Sequence, residues 1–208
     1  MWTGRVNLGN GFSRTDMAVN MSNADFRWQD SGWRWLWISA VLVVLDQVTK
    51  YFIVAEIPDG ARIYVLPVLN IIHTTNPGAA WSMFADWGGS QRWILSALAI
   101  GVSIAIFVWL RRMALAQHRL LTAGLVLILS GAVGNVIDRL RLGHVIDFVE
   151  VHWGNSYFPA FNVADSAISV GAAFVILDAL FEHRREKQAA RARAAGAEGP
   201  AESPAGKR

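Results

Sequence analysis

The chain has 208 residues, of which 53% are hydrophobic and 17% are charged, and its formal net charge is +3. This composition is typical of a membrane protein, and so small a positive charge gives no indication of a nucleic acid partner. The chain contains no cysteine, which excludes thiol nucleophiles, cysteine-ligated zinc and disulfides. We expect no cofactor.

Four apolar segments have roughly the 17 to 25 residues that a helix needs to cross a bilayer. They cover residues 33–53, 91–110, 120–137 and 163–181. We predict helices, because an open strand in lipid would leave backbone polar groups unpaired. The predicted fold is an all-α membrane protein, with one four-helix transmembrane domain over residues 33–181 and connecting loops at 54–90 and 138–162.

Both ends of the chain are predicted to be tails. Residues 1–32 are polar and lack the pattern of a removable signal peptide, so we expect the first span to be a retained anchor. Residues 182–208 become poor in large apolar groups and are predicted to be disordered. Lys and Arg are most frequent in the tails and between the second and third spans. By the positive-inside rule both termini are then cytoplasmic and the other two loops face outward.

The first of these outward loops has too many β-branched residues for a plain linker. Residues 63–66 and 68–72 are predicted as short strands interrupted by Pro67. The sequence Asn76-Pro77-Gly78 predicts a turn, and residues 79–87 predict a short amphipathic helix. Together they would form a small extracytoplasmic β-cradle and lid on the membrane surface.

Polar residues inside the spans are costly in lipid and therefore point to a site or to structural pairs. Asp46 and Lys50 are four residues apart in the first span. They indicate either a local ion pair, with Lys50 reaching toward the headgroups, or support for a site.

The third span ends in a group of small and polar residues. Gly131 and Gly134 favour close helix packing. Asn135, Asp138 and Arg139 follow on adjoining turns. Asp138 and Arg139 would either pair with each other and cap the helix or belong to a network that orients catalytic groups.

Two further carboxylates lie in the second outward loop and at its end. Asp147 stands alone among apolar residues, whereas Asp165 begins the fourth span, where a helix N-cap is the simple structural alternative. The loop between them can fold back and bring them together. Two carboxylates that meet in a low-dielectric cleft tend to share one proton, so one can act as a base toward water while the other polarises a carbonyl.

Three other interpretations stay open at this point. His144, Asp147, Glu150 and His152 are close enough to raise a metal site, although their spacing matches no standard motif. The acidic residues could instead relay protons or ions in a small transporter. A scaffold whose cradle binds lipid-modified proteins without catalysis is the third.

Five motifs, in order over roughly residues 35–181, together resemble the lipoprotein signal peptidase family, also called signal peptidase II. The motifs are Asp46-x-x-Thr49-Lys50, Asn76-x-Gly78-Ala79-Ala80, Gly131-x-x-Gly134-Asn135-x-x-Asp138-Arg139, Val145-Ile146-Asp147-Phe148 and Phe161-Asn162-x-Ala164-Asp165.

The resemblance implies an aspartyl protease of the bacterial inner membrane that removes the signal peptide from diacylglyceryl-modified prolipoproteins, cutting before the lipidated cysteine. It implies that Asp147 and Asp165 are catalytic and that the other matched positions bind substrate or support the site: Asp46, Lys50, Asn76, Gly78, Gly131, Gly134, Asn135, Asp138, Arg139, Asn162 and Ala164. It also implies binding of the antibiotic globomycin and contact with membrane lipids. We further expect the small substrate residues before that cysteine to lie beside Gly131 and Gly134.

Overall fold

The computed structural model describes residues 30–78, 89–115 and 118–197. In these ranges the chain forms four helices that are long and apolar enough to cross a membrane, which confirms the four predicted spans. They are α1 (Leu36–Glu56), which follows a 3-10 turn at Gly32–Trp35, α2 (Gln91–Arg112), α3 (Arg119–Leu142) and α4 (Val163–Ala197).

Helix α4 continues well past residue 181, where we predicted the start of a disordered tail. The structure differs from that prediction because the residues after 181 are mostly Ala, Arg, Glu, Lys and Gln, which are strong helix formers. The span has also already nucleated the helix that they extend. Residues 1–29 and 198–208 of the predicted tails, and the amphipathic helix predicted at 79–87, lie outside the described residues.

Helix α3 is the centre of the bundle and packs against each of the other three helices. Its contact with α4 is close because glycines face each other: a Cβ atom on Gly124 would lie 2.7 Å from the Gly171 carbonyl oxygen. Helices α1, α2 and α4 expose large apolar side chains on their outward faces. Those faces are suited to lipid contact.

A four-stranded antiparallel sheet lies at one end of the bundle, which we call the sheet end. Its strands, in spatial order, are β1 (Arg62–Leu66), β2 (Leu69–Asn76), β3 (Val145–Trp153) and β4 (Ser156–Tyr157). The first two confirm the predicted strands on either side of Pro67. Strand β3, which contains Asp147, was not predicted from the sequence.

The pairing of β2 with β3 is irregular in a way that matters for the site. The register shifts between Ile71 and Thr74, so that β2 has an extra residue and Asn76 pairs with Val145. Residues that pair directly across antiparallel strands point to the same face. The bulge therefore puts Asn76 on the face of β3 that carries Asp147.

The segment before α4 is held against β3 by backbone hydrogen bonds. Phe161 accepts from Val149 N at 2.8 Å and donates to Val149 O at 3.0 Å. This isolated bridge closes the loop between β3 and α4. Asn162, the next residue, is thereby placed beside Asp147 at the start of α4.

Candidate active site

Asp147 lies on β3 at the sheet end and is only 2% exposed. Each of its carboxylate oxygens accepts a hydrogen bond from an asparagine. Asn162 Nδ2 donates to Oδ1 at 2.7 Å, and Asn76 Nδ2 donates to Oδ2 at 3.1 Å. The end of β2 and the start of α4 therefore converge on this one carboxylate of β3.

Burial and the nearby charge of Asp165 raise the pKa of Asp147 to about 7. Both effects disfavour the ionised carboxylate, whereas the two asparagine donors and the Lys50 ammonium favour it. Burial wins because little water reaches the group. The raised pKa allows Asp147 to gain or lose a proton near neutral pH.

Asn162 connects the carboxylate of Asp147 to the backbone of Asp165, the two residues that the sequence predicts as a pair. While its Nδ2 donates to Asp147, its Oδ1 accepts a hydrogen bond from Asp165 N at 2.9 Å. Asn162 is therefore the N-cap of α4, and Asp165 lies three residues inside the helix. The structural alternative in which Asp165 itself caps the helix is wrong, so the Asp165 carboxylate is free to face the site.

Asn135 on α3 supports the carboxylate of Asp165. Its Nδ2 donates to Asp165 Oδ1 at 2.8 Å, and its Oδ1 accepts from Lys50 Nζ at 3.3 Å. Since Lys50 can only donate, the contact fixes which end of the Asn135 amide points to Asp165. The amide orientation on one helix is thus set by an ammonium group on another.

Lys50 lies at the centre of a buried ionic network and is only 2% exposed. Its Nζ lies 2.8 Å from Asp46 Oδ2 and 2.7 Å from Asp138 Oδ2. The predicted ion pair between Asp46 and Lys50 is confirmed, but the prediction that Lys50 reaches toward the headgroups is wrong. A second carboxylate on α3 retains it inside the bundle, since an ammonium in lipid needs partners.

Gln47, which was not predicted from the sequence as a site residue, completes this network. Its Nε2 contacts Asp138 Oδ1 at 2.9 Å, Asp46 Oδ2 at 3.2 Å and the Gly134 carbonyl at 3.3 Å. The signal was available, because a glutamine inside an apolar span next to an aspartate needs partners of its own. Gln47 tethers α1 to α3.

Asp138 and Arg139 do not form the pair that was one of their predicted alternatives. Asp138 bonds Lys50 and Gln47, whereas Arg139 Nη2 donates to the Gly78 carbonyl at 3.2 Å. Helix α3 is capped instead by Gly143, whose φ of 85° is the left-handed conformation that favours glycine. Arg139 Nε is buried and has no hydrogen-bond partner among the described residues.

Asn76 and Gly78 form a compact turn at the edge of the site. Gly78 N donates to Asn76 Oδ1 at 3.1 Å, which leaves the Asn76 amide group directed at Asp147. Arg139 holds the carbonyl of the same Gly78. The turn is therefore fixed between β2 and α3.

Neighbouring groups occupy the space beside the small residues of the site. A Cβ on Gly131 would overlap the Ala164 carbonyl oxygen, and one on Gly134 would lie 2.7 Å from Asp46 Oδ2. Asp46 Oδ1 also accepts a hydrogen bond from Ala164 N at 2.9 Å. The structure thus confirms close helix packing. It differs from the prediction that substrate residues lie beside these glycines, because α4 and Asp46 already occupy that space.

The metal alternative gains no support from the described ranges, where no three His, Asp or Glu side chains converge on a possible ion site. Both carboxylate oxygens of Glu150 are used elsewhere. Arg62 Nη2 donates to Oε1 and Asn70 Nδ2 donates to Oε2, each at 2.8 Å. Glu150 therefore fastens β3 to the first two strands.

All thirteen residues proposed from the sequence fall in one connected group at the sheet end. Four spanning helices and a buried, carboxylate-rich site define a multi-pass membrane protein. Its site contains acidic side chains of the kind that enzyme active sites use. Comparisons with known proteins identify the family to which it belongs.

The sequence model of the family described as "Signal peptidase (SPase) II" matches residues 38–181. The lipoprotein signal peptidase of Shewanella halifaxensis is 43% identical over 161 residues, which cover 77% of this chain and 94% of that protein. The lipoprotein signal peptidase of Shewanella pealeana is 42% identical over 161 residues, which again cover 77% of this chain and 94% of that protein.

Solved structures agree with these sequence matches. A bacterial membrane enzyme determined by the in meso method at 2.3 Å resolution has a TM-score of 0.61 and 31% identity, and the match covers 70% of this chain and 87% of that one. A second such structure, at 1.9 Å resolution, has a TM-score of 0.59 and 32% identity over 69% and 90% of the two chains. The chain belongs to the signal peptidase II family, the membrane proteases that remove signal peptides from prolipoproteins.

Proposed function

We propose that the chain is an aspartic endopeptidase in which Asp147 and Asp165 together activate the attacking water. The observation that carries this proposal is the amide of Asn162, which contacts the carboxylate of Asp147 through Nδ2 and the backbone of Asp165 through Oδ1. The raised pKa of Asp147, caused by burial and by Asp165, supports a pair that holds one proton near neutral pH.

In the proposed reaction the ionised carboxylate takes a proton from water, and the oxygen of that water attacks the scissile carbonyl carbon. The protonated carboxyl donates to the carbonyl oxygen, where negative charge develops. The tetrahedral intermediate then releases the amine as the C–N bond breaks, and the leaving nitrogen receives a proton from the pair. No covalent acyl-enzyme forms.

The substrate is a prolipoprotein with a diacylglyceryl group on its cysteine, and the cut falls immediately before that cysteine. Asn76, Asn135, Arg139 and Asn162 would hold the peptide backbone and the lipid headgroup in register. Arg139 has an unused Nε donor for this task among the described contacts. The same groups would hold globomycin.

The other matched residues are proposed to support the site rather than to touch substrate. Asp46, Lys50 and Asp138 form the ionic network behind Asn135, and Gly78 anchors the turn of Asn76. Gly131, Gly134 and Ala164 allow α3 and α4 to approach closely. These contacts keep the asparagines in place.

We propose that the protein lies in the bacterial cytoplasmic membrane, with both termini in the cytoplasm and the active site on the extracytoplasmic side. Basic residues support this orientation, because more of them lie at the helix ends opposite the sheet end than at the sheet end itself, where Arg92, Arg139 and Arg141 lie. Those opposite the sheet end include Arg34 before α1, Arg111 and Arg112 at the end of α2, and Arg119 at the start of α3. Residues 33–181 would form the peptidase domain between two terminal segments.

The test is a gel-shift processing assay with purified protein and a diacylglyceryl-modified prolipoprotein. Asp147→Asn and Asp165→Asn should each lower the cleavage rate by about 10²- to 10⁴-fold, because each removes a proton-transfer group. Asp178→Asn is the matched control, since Asp178 lies on α4 far from the sheet end and should leave the rate unchanged. Undiminished cleavage in either dyad variant would contradict the mechanism.

The same preparations separate the two rival functions. A protease variant should lose turnover while it still binds the prolipoprotein, and EDTA should not affect the wild type. A transporter would instead show ion flux in sealed vesicles that the aspartate variants abolish. A scaffold would bind substrate in every variant and cleave it in none.

A further inference from the structure

The outward face of α4 forms a continuous apolar line inside the membrane. Ala173, Leu177 and Leu180 are exposed and follow one another at helical spacings of four and three residues. The opposite side of the helix, with Ala164 and Gly171, packs against α3. Since α4 is a spanning helix, the exposed line faces lipid.

Basic side chains continue the same line beyond the apolar part. Arg184, Lys187 and Arg191 follow Leu180 at spacings of four, three and four residues, and all three are exposed. Residues at such spacings lie on one face of a helix. We call these three residues the basic stripe.

The acidic residues of this part of α4 lie on the other side. Asp178, Glu182 and Glu186 line a cleft with Arg119 at the start of α3. No residue three or four positions from a member of the basic stripe is acidic. The positive charge of the stripe is therefore not neutralised by its own helix.

We propose that the basic stripe binds the headgroups of anionic phospholipids in the leaflet from which the C-terminal end of α4 emerges. At about 1.5 Å per residue, Arg184 and Lys187 lie roughly 6 and 10 Å beyond Leu180. The headgroup layer is about 5 to 8 Å thick on each side, and long basic side chains extend toward it. Arg191 acts from slightly farther out, within about a Debye length of the surface.

The experiment uses the full chain in vesicles of phosphatidylcholine and phosphatidylglycerol. Because the chain has no cysteine, a fluorophore attached through Gln188→Cys reports from a position adjacent to the basic stripe. Quenching is compared between phosphatidylglycerol and phosphatidylcholine that each carry a nitroxide near the headgroup. We expect phosphatidylglycerol to quench at least about twofold more strongly at low salt, and the ratio to fall toward one at high salt.

Two double variants with equal loss of charge locate the effect. Arg184→Gln with Lys187→Gln removes the two basic residues nearest the headgroup layer and should bring the quenching ratio close to one, whereas Arg185→Gln with Arg193→Gln, which lie off the stripe, should keep it. Prolipoprotein cleavage by both variants confirms that the helices still assemble. Equal quenching by the two lipids in the wild type, or an equal loss of preference in both double variants, would overturn the proposal.

Discussion

Asn162 and Asp147, 15 residues apart in the chain, are joined by a hydrogen bond of 2.7 Å from Nδ2 to Oδ1. The other end of the same amide caps α4 at Asp165 N. One side chain therefore fixes the start of a spanning helix and the position of a carboxylate on a strand. The stability of the helix and the geometry of the proposed dyad depend on one residue, yet substitutions can separate them.

Asn162→Ser should separate helix capping from catalysis. Serine is nearly as good an N-cap as asparagine, but its shorter hydroxyl cannot also reach Asp147. We expect the apparent Tm to change by only a few degrees, while kcat/KM falls by about 10- to 100-fold because Asp147 loses a positioning donor. Thermal melts and the gel-shift assay measure the two effects. A Tm loss as large as that of Asn162→Ala, which removes the cap, would show that the substitution disrupts the fold instead.

The pH profile of cleavage should decline on the basic side. The pKa of Asp147 is raised to about 7 by burial and by Asp165, so the pair loses its shared proton as pH rises through neutrality. If the singly protonated pair is the active form, kcat/KM falls about tenfold per pH unit above that point. Initial rates between about pH 5 and 9 measure this, and a rate that stays constant above pH 8 would contradict the shared proton.

The pH dependence of the free energy of unfolding should report on the Asp147 carboxyl group independently of activity. The folded protein binds the Asp147 proton more tightly than the unfolded chain, whose aspartates titrate near 3.9. The free energy of unfolding therefore decreases as pH rises from about 4 to about 7, and Asp147→Asn should remove much of that decrease. Thermal melts of both proteins at the two ends of this range provide the comparison.

Lys50→Met should be strongly destabilising, by about 3 to 5 kcal/mol, because it leaves Asp46 and Asp138 buried without their shared cation. Adding Asp138→Asn to Lys50→Met should recover part of the loss, since only one carboxylate then remains. Melting temperatures of the two single variants and the double variant form the thermodynamic cycle. Strict additivity would mean that the two side chains do not interact.

Gly131→Ala should push α3 slightly away from α4 and lower the stability. Its new methyl group would meet the Ala164 carbonyl and lie 2.6 Å from Ile168 Cγ1, so backbone or side chains must move, at a cost of about 1 to 3 kcal/mol. Gly101→Ala in α2 is the matched control, because nothing lies within 4 Å of the new methyl group there. We expect Gly101→Ala to leave the Tm unchanged or slightly raised. Equal Tm changes in the two variants would contradict the packing argument.

Much of the fold could be predicted because its signals are local. Run length located the four spans, and β-branched residues on either side of Pro67 located β1 and β2. Strand β3 was missed because Asp147 was interpreted as an isolated acid rather than as part of an extended segment. The helical end of α4 was missed because low hydrophobicity was taken as disorder, although the same residues have high helix propensity.

The sequence by itself singled out most of the polar residues that the structure brings together at the sheet end, although not Gln47, since polar groups in apolar segments stand out against their surroundings. Only the tertiary structure decided how they pair. Lys50 is shared by Asp46 and Asp138, Asn162 links Asp147 to the start of α4, and Gln47 joins α1 to α3. Periodicity along the chain indicates the face on which a side chain lies, but a hydrogen-bond partner on another element depends on register, bulges and helix packing.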